Sequence, residues 1–181
     1  MVEATIVNVV VTADLNQKLD LDELGKLREI LHDPEIYGGQ AAYFKSPKTT
    51  GKVSIFASGK MISVGTKSEK EATHDLEYVK NFLVEKGFIK PTVLKQKIQN
   101  IVVVANFGES INLEELVRNC KIIYEPEQFP GGILRIEEPY KATILIFASG
   151  KAVITGLKSS NKIKPVIQKM VSTIKPHSNC D

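Results

Sequence analysis

Phe56-Ala57-Ser58-Gly59-Lys60 returns unchanged as Phe147-Ala148-Ser149-Gly150-Lys151, 91 positions further along, and its surroundings return with it. Ile6-Val7-Asn8-Val9-Val10 answers Ile98-Gln99-Asn100-Ile101-Val102, and Asp33-Pro34-Glu35-Ile36-Tyr37 answers Glu125-Pro126-Glu127-Gln128-Phe129, both at an offset of 92. Self-similarity of this kind marks a tandem duplication, in which each copy must present the same surface. A quasi-symmetric surface suits a quasi-symmetric partner. The change of offset from 92 to 91 places a one-residue length difference between Pro47 and Phe56, with Gly51-Lys52 read as added loop.

Both copies show one order of elements. Residues 5–15 and 97–107 are rich in β-branched and apolar types and read as strands. Asp20-Leu21-Asp22-Glu23 and Asn112-Leu113-Glu114-Glu115 each set a capping side chain three residues ahead of a carboxylate, so a helix starts there. Leu21, Leu24, Leu27 and Leu31 continue the first of these at helical spacing. Gly38-Gly39, Pro47 and Gly51 then divide residues 36–66 into short antiparallel strands. A capping box at Ser68-Glu69-Lys70-Glu71 opens a longer helix that ends at Gly87; its counterpart begins near Ser160, with its first turn displaced by Pro165.

Eight to ten strands with four helices predict an α+β fold in which helices cover one face of a continuous antiparallel sheet. Alternation then puts Val10, Ile62 and Val64 of the first copy, and Val102, Val153 and Thr155 of the second, on the uncovered face. Exposed apolar strand surface implies a partner, and it is compatible with a homodimer of the free protein.

Composition narrows the class. Each copy, residues 1–92 and 93–181, is near the lower limit for an independent core, which favours one pseudo-symmetric domain. The net charge is +3, yet it is skewed: 12 basic and 13 acidic residues through Lys90 give −1, and 12 and 8 beyond it give +4. A polyanionic partner fits a lysine-lined face better than it fits the total. The longest apolar runs, such as Ile101 to Ala105, are too short for a membrane span, and Cys120 and Cys180 make no disulfide framework. No nucleophile constellation or phosphate-cradling glycine loop is visible, so no enzymatic activity and no cofactor are expected. His32 and His74 lack clustered ligands, and His177 to Cys180 is a weak metal signal, so no metal is expected either.

Ile98 to Val102, Tyr124-Glu125-Pro126-Glu127-Gln128-Phe129-Pro130-Gly131, Ile144 to Lys151 and Val153-Ile154-Thr155-Gly156 together resemble the second repeat of the TATA-box-binding proteins. The first copy carries weaker versions in the same order from Asn8 to Lys67, so the resemblance spans the chain. Its compact length is similar to the archaeal members. The resemblance implies two tandem repeats of that family forming a saddle, with a curved antiparallel sheet and helices on the convex face. It implies a general transcription factor that binds the minor groove of TATA-like double-stranded promoter DNA, kinks it with aromatic wedges, and recruits transcription factor B and, indirectly, RNA polymerase.

Carried over residue by residue, the family pattern makes Asn8 and Asn100 the paired central asparagines. Thr155 supplies a hydroxyl, and Val10, Val102, Ile62, Val64, Val153 and Leu145 supply apolar contact. Tyr37, Phe56, Phe129 and Phe147 stand at the wedges, and Lys60, Lys67, Lys151, Lys158 and Arg135 lie along the phosphates. Glu125 and Glu127 resemble the acidic loop that meets transcription factor B. An isolated Ile-Phe in a strand is ordinarily core; the duplicated Phe-Ala-Ser-Gly-Lys context argues for a wedge instead. The resemblance implies a nucleoid-associated cytoplasmic protein if archaeal and a nuclear one if eukaryotic.

The first copy departs from the pattern. Tyr37 replaces a wedge phenylalanine, Tyr43 stands at the count of Arg135, Ser54 at that of Leu145 and Val64 at that of Thr155. The first half is therefore expected to bind DNA more weakly or less selectively. A divergent regulatory paralogue, a protein-binding scaffold using the same sheet, and an accessory domain of a nucleic-acid enzyme are the alternatives. The last is disfavoured by two complete repeats without a catalytic module.

Overall fold

A computed structural model describes residues 2–175, apart from the side chains of Ile36 and Tyr37. Its strands are β1 (Glu3–Asp14), β2 (Ile30–His32), β3 (Ala41–Phe44), β4 (Lys52–Phe56), β5 (Lys60–Thr66), β6 (Lys95–Asn106), β7 (Ile122–Ile123), β8 (Gly131–Ile136), β9 (Ala142–Phe147) and β10 (Lys151–Leu157). The α-helices are α1 (Leu21–Leu24), α2 (Glu69–Glu85), α3 (Leu113–Asn119) and α4 (Ile163–Ile174). The chain divides into two compact units, one of Asn8–Gln99 and one of Met1–Val7 with Asn100–Asp181. Strand β1 passes from one unit to the other after Val7, and β6 does so after Gln99.

In the Asn8–Gln99 unit the antiparallel order is β2-β3-β4-β5-β1. Burial alternates along these strands, so that Val9, Val11, Val53, Ile55 and Met61 form the core while their neighbours are half-exposed. Helix α2 covers that core: Ala72, Leu76, Val79 and Leu83 are fully buried, and Phe82 meets Phe44 of β3 edge-on at 5.0 Å. Leu76, Val79 and Leu83 each contribute about 1.5–3 kcal/mol by leaving water. The start of α2 follows the sequence, since Ser68 Oγ accepts from the Glu71 amide at 3.1 Å and Glu71 Oε2 reaches back to the Lys67 amide at 2.8 Å.

The first helix is shorter than its leucine spacing predicts. Asp20 caps α1 by accepting from the Asp22 and Glu23 amides, but α1 stops at Leu24. Beyond it the chain turns back into β2, and Gly25 lets the two pack closely, since a Cβ there would lie 3.0 Å from His32 Cβ. Leu31 accordingly lies in β2 and is 63% exposed.

The other unit repeats the plan, with order β6-β10-β9-β8-β7. Ile101, Val103, Ala105, Ile144, Ile146, Ala152 and Ile154 are its buried face. Asn112 Oδ1 caps α3 at the Glu115 amide, 3.1 Å away, and Leu113 and Leu116 are buried. Pro165 is the third residue of α4, where no intrahelical donor is needed, and a short 3-10 turn at Ser160–Lys162 takes up the displaced start. Cys120 Sγ donates to the Thr173 carbonyl at 3.0 Å, tying the end of α3 to α4. Lys175 pairs with Glu109 and holds that carboxyl below its ordinary range through a direct hydrogen bond and charge attraction. No helix among the described residues is long and apolar enough to cross a membrane.

Candidate nucleic-acid interface

Each unit has one sheet face that its helices leave uncovered, and the singled-out residues sit there. Asn8, Val10, Phe56, Ile62 and Val64 in one unit, and Asn100, Val102, Leu145, Phe147, Val153 and Thr155 in the other, are all half-exposed at alternate strand positions. Lys60, Lys67, Lys151, Lys158 and Arg135 are exposed.

The asparagines are fixed rather than loose. Asn8 Oδ1 accepts from the Gly65 amide at 2.7 Å, and Asn100 Oδ1 accepts from the Gly156 amide at the same distance. Both glycines have positive φ, +89° and +96°, and both lie near breaks in the strand register, where a bulge frees an N–H from the ladder. That N–H settles the amide orientation: oxygen faces the protein, and the NH₂ group is what remains to donate outward. Asn100 Nδ2 also donates to Thr155 Oγ1 at 3.0 Å. With Val64 in the corresponding place, Asn8 makes only the Gly65 bond among the described residues.

The aromatic tips are equally anchored. Phe129 and Phe147 meet edge-to-face with centroids 5.8 Å apart, a favourable quadrupole arrangement. Gly131 makes room for them, since a Cβ there would lie 2.8 Å from Phe129 and 3.1 Å from Phe147. Phe56 and Phe147 each begin a tight turn closed by the glycine amide, Gly59 N to Phe56 O at 2.8 Å and Gly150 N to Phe147 O at 2.9 Å. The turns are clamped from behind: Leu15 and Leu19 donate to Gly59 and Ala57, as Phe107 and Ile111 donate to Gly150 and Ala148. The side chain of Tyr37 lies outside the described residues; its backbone belongs to the 3-10 turn Ile36–Gly39.

Strand register corrects the sequence correspondence in the first half. Phe56 pairs with Ala41 and Phe147 with Gly131, so Tyr43, opposite Ser54, corresponds to Ile133, opposite Leu145. The position matching Arg135 is therefore Lys45, not Tyr43, and that cation is kept. Lys45 is exposed just past β3, its amide bonded to the Glu29 carbonyl at 2.7 Å. The length differences move too: the first copy has two more residues between β2 and β3 and one fewer between its β3 and β4 pairing positions. Gly51-Lys52 is not added loop, since Lys52 begins β4 and pairs with Val64, as Thr143 pairs with Thr155. Residue counting missed Lys45, Lys52 and Tyr43 as face or edge residues; the shared pattern of Tyr43-Phe44-Lys45 and Ile133-Leu134-Arg135 was the available signal.

Glu125 and Glu127 are exposed in the loop before Phe129, whose turn is held by the Gln128 and Phe129 amides on the Glu125 carbonyl, both at 2.9 Å. Among the described residues no group of His, Cys, Asp and Glu could hold a metal ion. The candidate metal signal from His177 to Cys180 lies outside the described residues.

The model of "Transcription factor TFIID (or TATA-binding protein, TBP)" matches residues 3–85 and again 95–177. The chain belongs to the TATA-box-binding protein family. Among its relatives in that family, the Methanocaldococcus jannaschii TATA-box-binding protein is 38% identical over 96% of this chain and 94% of its own. That of Sulfolobus acidocaldarius is 38% identical over 91% and 83%, and that of Cenarchaeum symbiosum 34% over 88% and 87%. A solved structure, "Methanococcus jannaschii TBP", superposes with a TM-score of 0.82 at 36% identity, covering 96% of this chain and 99% of that one. The fold is thus the one the family resemblance implied: antiparallel sheet, helices and two tandem TATA-box-binding-protein repeats, in a family of transcription factors rather than enzymes.

Proposed function

We propose that this general transcription factor lays the open sheet face of each half into the minor groove of a TATA-like promoter element. The carrying observation is the pair of asparagines whose oxygens are tied to Gly65 and Gly156, leaving donors on a face lined mainly by apolar side chains. The minor groove of A·T pairs offers only acceptors, so a few donors among aliphatic groups match it. Phe56, Phe129 and Phe147, with Tyr37, enter base steps and kink the duplex; unstacking costs a few kcal/mol per step and is offset by apolar burial in the widened groove. Lys45, Lys60, Lys67, Lys151, Lys158 and Arg135 meet phosphates. The bent complex then recruits transcription factor B through Glu125 and Glu127, and RNA polymerase through that factor.

The deciding experiment is energy transfer across a doubly labelled TATA duplex, with and without transcription factor B. Bending by the protein alone is expected, with Phe147→Ala reducing affinity at least tenfold, in line with the ~1.5–3 kcal/mol of a buried phenylalanine. Reversing charge at both Glu125 and Glu127 should spare the binary complex and weaken the ternary one. Absence of bending under both conditions would move the protein to the regulatory paralogue reading, which the more polar first half favours.

A further inference from the structure

We infer that the first half of the chain accepts G·C base pairs that the second half rejects, with Ser54 and Tyr43 setting the difference. The inference rests on the minor-groove reading proposed above. Strand pairing lines up one row of side chains across each open face. In the second half the row is Ile123, Ile133, Leu145, Val153 and Val104, aliphatic throughout. In the first it is Leu31, Tyr43, Ser54, Ile62 and Thr12.

Three hydroxyls thus replace three hydrocarbon side chains, although not all are available. Thr12 Oγ1 already accepts from Gln99 Nε2 at 2.7 Å. No hydrogen bond among the described residues engages the side-chain hydroxyl of Ser54 or of Tyr43, and both residues are half-exposed. Lys52 holds its ammonium 4.0 Å from the Tyr43 ring centroid, where the second half has Thr143.

The chemistry of the groove gives these differences a meaning. A G·C pair differs from A·T there by one feature, the guanine 2-amino donor. Pressed against an aliphatic row from which water is excluded, that donor loses its hydrogen bond, and the pair is penalised. A serine or tyrosine hydroxyl accepts from it, so the penalty falls. Lys52 brings donors, which suit the acceptors that every base pair retains, and so supports affinity without discriminating. The second half is a strict A·T reader and the first a tolerant one, which also gives the complex a preferred polarity on asymmetric elements.

The test is competition binding to a panel of duplexes in which single A·T pairs of one element are changed to G·C in turn. The full chain should lose roughly 10- to 100-fold at positions under the second half and at most about threefold at those under the first. Ser54→Leu should raise the first-half penalties to the second-half level, and Leu145→Ser should lower the second-half ones; the reciprocity assigns each end, and unchanged melting shows that the variants fold. Tyr43→Phe, which removes only a hydroxyl, should shift the same positions as Ser54→Leu. Symmetric penalties in the parent, or penalties that ignore both variants, overturn the inference while leaving the minor-groove reading in place. Failure to bind the all-A·T duplex overturns both.

Discussion

Asn100 shows how one side chain can be both a structural and a reading element. Its carbonyl oxygen satisfies the Gly156 amide, one hydrogen of its NH₂ group goes to Thr155 Oγ1, and the other remains to donate outward. Asn100→Asp keeps the oxygen and loses the donor, while adding a negative charge facing phosphates. Urea unfolding should change by less than about 1 kcal/mol, since the Gly156 bond persists. Affinity for a TATA duplex, followed by fluorescence anisotropy, should fall at least tenfold. Gly150 is the opposite case, a residue whose importance is wholly conformational. Its φ is +81°, and a Cβ would lie 1.8 Å from the Glu109 carbonyl oxygen. Gly150→Ala should cost at least about 3 kcal/mol in urea unfolding, combining left-handed strain with backbone displacement. The recurrence of Gly59 and Gly150 was legible as a turn in the sequence. The clamp behind each turn was not, because it joins positions some 40 residues apart.

At the scale of elements, the loop between β3 and β4 is organised by a carboxylate from α2. Asp75 is fully buried, with one oxygen accepting from the Thr50 amide at 3.0 Å and the other from Gly51 at 2.7 Å. Asp75→Ala would strand two backbone donors, so a loss of about 2–5 kcal/mol is expected from urea unfolding; Asp75→Asn, which keeps one acceptor, should recover about half. Helix starts were readable because a cap is a local event: Asp20, Ser68 and Asn112 act on amides two or three residues away. The end of α1 was not readable, since it depends on β2 folding back so that His32 packs against Gly25. Nor was the register of β3, because the first copy gains two residues before that strand and loses one after it. Opposed changes nearly cancel in the residue count, and only backbone pairing separates Tyr43 from Lys45.

For the whole molecule, a net charge of +3 conceals the distribution that matters. Lys45, Lys60, Lys67, Lys151, Lys158 and Arg135 are exposed beside the two open faces. If five of these neutralise phosphates, the slope of log affinity against log salt should be about −4 to −5, measured by titration between 50 and 200 mM salt. A peptide-binding scaffold would give a shallow slope. Duplication made the fold class legible, since the two copies confirm each other's strands and caps. The clamped turns that carry Phe56 and Phe147 have a thermodynamic corollary. Their backbones are ordered before any duplex arrives, so binding immobilises little protein, and the work of association falls on the nucleic acid. Affinity across promoters should therefore track the flexibility of the base steps that receive the rings, making the protein a gauge of DNA stiffness as much as a reader of bases.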